Sequence, residues 1–152
     1  MALTEERWTD RTYVNGSLVV HYNTKVVGTV AAAQAPRGHF CREGIGTRIV
    51  KFFGGHRDEP QTGDSLFDDM ILVQADTPEL VRQMLAHDGI QAVIMDAVGD
   101  FGNIRFEEAP NGDAMVTVRS LMTNDPDSTL KTGEQAVVAV ALRHVQAVFG
   151  PR

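Results

Sequence analysis

The sequence predicts an α+β domain. The expected sheet is antiparallel or mixed, of about 5–7 strands, with three helices near 77–86, 88–98 and 133–149 mainly on one side. Three observations carry this reading. Runs with period-two hydrophobicity dominate up to residue 75, whereas helix-spaced patterns begin only after it. Polar, glycine-containing turns separate the strand runs at short intervals. A long, apolar segment closes the chain and needs a sheet to lie on.

In chain order, residues 1–11 are polar apart from Leu3 and Trp8 and read as a flexible lead-in to a single domain over 12–150. Leu18, Val20 and Tyr22 alternate with Val19 and His21, and a second run surrounds Val26 and Val30. Asn23-Thr24 between them reads as a hairpin turn, and apolar residues on both faces suggest burial on both sides. Pro36-Arg37-Gly38 breaks the chain before two further strands, His39–Arg42 and Thr47–Phe53, joined by a bend at Gly44 and Gly46. Gly54–Asp64 is a polar loop of the length associated with functional segments. Phe67–Ala75 is the strongest strand pattern, with Phe67, Ile71, Val73 and Ala75 on one face and Met70 and Leu72 on the other, which predicts a central strand.

Thr77-Pro78-Glu79 opens the first helix, with a capping hydroxyl, a proline suited to the first turn and an acid at the positive end of the dipole. Asp88 is placed to cap the second, in which Ile90, Val93, Ile94 and Ala97 share a face and Gly99 marks the end. Ile104 and Phe106, then Val116 and Val118, form a hairpin around Asn111-Gly112. The last helix carries Val137, Val138, Val140, Leu142, Val145, Val148 and Phe149, leaving a thin polar stripe of Gln135, Arg143 and Gln146.

The chain has 152 residues, 43% hydrophobic and 22% charged, as expected for a globular domain. Asp and Glu number 20 against 14 Lys and Arg, a formal charge of −6. That balance argues against nucleic acid as a partner. No apolar run reaches the ~20 residues of a membrane span, so no integral membrane segment is expected. The N-terminal residues lack the pattern of a secretory signal. The single cysteine, Cys41, forms no internal disulfide and suits a reducing, cytoplasmic location.

Thr62-Gly63-Asp64-Ser65-Leu66-Phe67-Asp68 fits T-G-D-x-x-F-D. With a basic, aromatic hairpin before it and a strand, a helix pair and a β-hairpin after it, the segment from Phe40 to Met122 resembles a soluble α+β module of uncharacterised bacterial proteins. Many of those carry membrane anchors, and this chain departs from them in having no membrane segment. The resemblance implies a fold and no activity.

Few residues suggest chemistry. Asp64 and Asp68 would approach each other if their turn folds back, as an acid–base pair or Mg²⁺ ligands. Asp64 equally suits a structural turn, accepting backbone N–H groups after Gly63. Asp68 and Asp69 point to opposite faces of a strand and share nothing. His39 and Cys41, two apart on a strand, share a face and form a possible thiol–base or partial metal pair. Two ligands make no tight zinc site, and no metal or cofactor is expected. Gly44–Arg48 and Gly54–Arg57 lack the strand-to-helix setting of a phosphate loop. Arg42, Arg48, Lys51 and Arg57 form a basic cluster suited to an acidic partner or a phosphate.

The first expectation is therefore a non-enzymatic, cytoplasmic interaction module that self-associates or binds a protein partner. A homodimer is expected through Val137, Val140 and Val148 of the last helix. The alternative is a small enzyme or ligand-binding protein with a polar site around Asp64, Asp68, His39 and Cys41.

Overall fold

The computed structural model describes residues 1–42, 71–119 and 130–150. In chain order the elements are β1 (Ala2–Val14), β2 (Ser17–Val30), β3 (Gly38–Arg42), β4 (Ile71–Ala75), α1 (Pro78–Leu85), α2 (Ile90–Phe101), β5 (Asn103–Glu108), β6 (Ala114–Arg119) and α3 (Leu130–Phe149). The strands form one six-stranded sheet of order β1-β2-β6-β5-β3-β4 in which every neighbouring pair is antiparallel. The α+β class is as the sequence predicts, and so are the six strands and three helices found among the described residues; the expected strand Thr47–Phe53 lies outside them.

Alternation explains why these segments pair. Val26 and Val30 on β2, Phe40 on β3, Ile71 and Val73 on β4, Ile104 and Phe106 on β5, and Val116 and Val118 on β6 are all buried on one face. The helices supply the other wall with Val81, Met84, Ile90, Ile94, Phe101, Val138, Leu142 and Val145. Phe40 and Phe106 meet edge to face on neighbouring strands, with centroids 5.6 Å apart. α3 crosses β2 at Gly28, where a Cβ would stand 2.6 Å from Leu142 Cδ1, 2.6 Å from Leu3 Cδ2 and 2.7 Å from Val138 Cγ1. The missing side chain is what lets the helix lie this close to the strand.

Several local expectations are corrected. Residues 1–11 are no loose lead-in: they form most of β1, paired residue for residue with β2 from Ala2↔Thr29 to Val14↔Ser17. The turn falls at Asn15-Gly16, both at positive φ (52° and 80°), the backbone that a two-residue hairpin of this twist requires. Asn23-Thr24 instead lies inside β2, with Asn23 Nδ2 donating to Asp10 Oδ2 at 3.0 Å across the ladder. Nor is β2 buried on both sides, since Leu18 is exposed and Val27 only half-buried. Among the described residues β4 is an edge strand rather than a central one. The β5–β6 loop is longer than a two-residue turn: Ala109 N–H donates to the Asp113 carbonyl at 2.8 Å, and Asn111 Oδ1 accepts from Asp113 N–H at 3.0 Å.

The helix ends also differ. Thr77 makes no side-chain cap, because its hydroxyl accepts from Arg37 N–H at 2.8 Å and ties α1 to the segment before β3. The cap of α2 is Gly89, in the left-handed conformation, not Asp88. α2 continues past Gly99 to Phe101, and Gly102 (φ 90°) terminates it. No helix among the described residues is long and apolar enough to cross a membrane.

Candidate functional site

The second face of the sheet carries the polar alternates of the strands. Strand register aligns them in two transverse rows. Thr4, Val27, Thr117, Arg105, His39 and Gln74 form one row, each the direct cross-strand partner of the next. Glu6, Lys25 and Arg119 begin the second in the same way. It continues through Asn103, whose Nδ2 donates to the Arg119 carbonyl at 3.1 Å, to Cys41 and Leu72. Most of these residues line a cavity of about 700 Å³ across the middle of the sheet. A second cavity of about 550 Å³ adjoins it beyond His39, Arg105 and Glu107.

The charges in the cleft are unevenly matched. Lys25 has Glu6 directly across from it on β1. Arg105 Nε lies 3.4 Å from Glu107 Oε1. Arg119 has no carboxylate partner among the described residues and stands over the Trp8 ring, 5.4 Å from its centroid. Lys25 and Arg119 are themselves direct partners on neighbouring strands, two like charges opposed across the ladder. Burial, and then the Arg105 guanidinium beside it, hold His39 below the ordinary imidazole value of 6.5, against a smaller opposing pull from Glu107. The imidazole is therefore the neutral form at pH 7, able to accept a proton or a hydrogen bond.

The expected pair of His39 and Cys41 is thus on one face of β3 and inside this cleft. Arg42 is not: it follows Phe40 on the helix side, and its Nη2 donates to the Gly99 carbonyl at 3.3 Å. Asp64, Asp68, Arg48, Lys51 and Arg57, with the Thr62–Asp68 motif, lie outside the described residues. Val137, Val140 and Val148 are half-buried flanks of α3. The second layer that this helix needs is supplied by α1 and α2 of the same chain. Glu134, fully buried, lies one turn before the buried Val138 on the helix side, away from the cleft.

Lys25, Asn103, Arg105, Thr117 and Arg119 were not singled out from the sequence as site residues. The available signal was their alternation with buried apolar neighbours, as in Arg105 between Ile104 and Phe106. Alternation gives a face but not which distant strands lie side by side. Among the described residues no group of three His, Cys, Asp or Glu side chains is placed to hold a metal ion. No protein-family model matches the sequence, and the search of curated proteins finds no match.

Proposed function

We propose that the protein is a non-enzymatic binding module whose site is the open face of the sheet, and that its ligand is a small molecule bearing a carboxylate or phosphate group. One observation carries the reading: Lys25 and Arg119 face each other across the β2–β6 ladder within a cavity of about 700 Å³. An anion between them turns a mutual repulsion into two charge-assisted contacts. Arg105 and the neutral His39 extend the polar surface along the next row, and Trp8 offers an aromatic flank. Within this reading the protein works in a reducing, cytoplasmic compartment, supported by its single cysteine.

The test is a thermal-shift and calorimetric screen of small carboxylates and phosphates at low salt. At least one class should raise the melting temperature saturably, and Lys25→Gln or Arg119→Gln should remove that response. A protein indifferent to every anion, or a response unchanged in both variants, overturns the reading.

The His39–Cys41 pair favours a second reading, a small enzyme with Cys41 as nucleophile and His39 as its base. Alkylation of Cys41 should then accelerate below the pH at which an ordinary thiol (pKa about 8.5) ionises, and His39→Gln should abolish the acceleration. An ordinary thiol profile in both proteins rejects it.

A further inference from the structure

We infer that the β1 edge is a homodimerisation surface, on which a second copy of this chain adds its own β1 antiparallel to form one continuous sheet. The first observation is backbone geometry. Asn15-Gly16 is a two-residue turn, so Val14 and Ser17 exchange hydrogen bonds and the bonded pairs recur at every second residue. The even-numbered residues of β1 thus bond to β2, and the odd-numbered ones turn their N–H and C=O groups to the outer edge. β1 is the outermost strand of the described sheet and is exposed along nearly all its length. A strand of 13 residues whose outer edge no described strand pairs is a template for another strand.

The second observation is what the edge displays. Among the described residues, Leu3 (40% exposed), Tyr13 (77%) and Val14 (54%) are three of the five large apolar side chains left in solvent, and all three are on β1. Arg11 has no ion-pair partner among the described residues.

The third observation chooses the occupant and its register. A two-fold axis perpendicular to the sheet pairs odd residues with odd and even with even. The register that overlaps the whole strand, Ala2 against Val14, centres on Trp8 against Trp8 of the second copy. On the helix side it sets Leu3 against Tyr13, Glu5 against Arg11 and Arg7 against Thr9, each occurring twice by symmetry; Glu5 already accepts from Arg7 Nε at 2.8 Å and from Gln135 Nε2 at 3.2 Å in its own chain, so Arg11 of the second copy would join an existing Glu5–Arg7 pair. Sliding one step either way sets Arg7 against its own copy or against Arg11. The full-overlap register also sets Glu6 against Asp10 on the open face. Of these, Asp10 accepts a hydrogen bond from the Asn23 amide at 3.0 Å, and Glu6 has Lys25 as its cross-strand neighbour. α3 packs on β2 and β6, so the helices of the two copies stay on one side, separated by both β1 strands. The same join continues the open cleft past Thr4 and Glu6 into the second copy.

Sedimentation velocity with circular dichroism as a folding control tests this inference. The unmodified chain should be a dimer at high micromolar concentration. Thr9→Pro removes an outward N–H that β2 does not use, and should give a folded monomer. Arg11→Glu and Glu5→Arg should each weaken the dimer about tenfold or more, since each reversal acts twice. The double variant E5R/R11E should regain the lost affinity, which a merely damaged fold would not. A monomeric unmodified chain, a dimer indifferent to Thr9→Pro, or a double variant that fails to recover overturns the inference.

Discussion

His87, in the turn between α1 and α2, and His144, on α3, bring their Nδ1 atoms to 2.9 Å, with the rings nearly perpendicular. Two like nitrogens at this distance bond only while one carries a proton and the other a lone pair. The pair ties the helix turn to α3 beside Gly89, whose position would place a Cβ 3.2 Å from the His144 ring. Burial first, then the His87 imidazole, hold His144 below 6.5, and Asp88 pulls weakly the other way.

This relationship sets a direction for acid sensitivity. With a folded-state value below that of the unfolded chain, His144 takes up its proton more readily on unfolding. Stability is therefore full above 6.5 and declines as pH falls below it, toward the lower folded value. His39, lowered in the same direction, adds to the decline. Calorimetric unfolding across this range should show a falling melting temperature, with a shallower slope in His144→Gln. A slope unchanged by that substitution would sink the assignment.

Arg119→Gln separates binding from architecture. Removing the charge relieves the repulsion from Lys25, about 0.2–1 kcal/mol, and forfeits the contact with Trp8, about 0.5–1 kcal/mol at an exposed site. The two nearly cancel, so chemical denaturation should detect little change in stability. Any anion-dependent stabilisation should nevertheless vanish. A large loss of stability would show that Arg119 is chiefly structural.

Gly28→Ala tests the close approach of α3 to β2. The new methyl meets three side chains at once, and Val138 Cγ1 is not the tip of a long flexible chain. The helix has to shift, at a cost of about 1–3 kcal/mol, read as a lower denaturation midpoint. An unchanged midpoint would mean that the Leu3 and Leu142 tips absorb the methyl by rotating away.

Gly16→Val tests the hairpin. No neighbour lies within 4 Å of a Cβ there, so any penalty comes from holding a branched residue at φ +80°. About 1–2 kcal/mol is expected. Loss of the β1–β2 signal in circular dichroism before global unfolding would place the strain in the hairpin.

Legibility in the sequence followed the range of the interactions. Ile104-Arg105-Phe106 announces a one-sided strand because neighbours along the chain settle it, and Pro78 marks the first turn of α1 for the same reason. Asn15-Gly16 is a turn dipeptide by type but was not singled out as one; the turn was expected at Asn23-Thr24, between two apolar runs, and the β1–β2 register puts Asn23 inside the ladder instead. Thr77 is a good cap by type, yet Arg37, forty residues earlier, takes its hydroxyl. The candidate site was legible only in the pair His39 and Cys41. The residues that join them come from strands whose order no local pattern reveals.

The two transverse rows have a consequence for how the cleft comes into being. Each row takes one residue from every described strand, from β1 near the start of the chain to β6 at residue 119. No hairpin or excised fragment contains the arrangement, and a one-residue slip in any ladder turns that strand's contribution to the opposite face. Contacts so distant in sequence are slow to form, because loop-closure entropy is lost before they stabilise anything. Under the proposed binding role, anion affinity should therefore appear in a refolding experiment only together with the complete sheet.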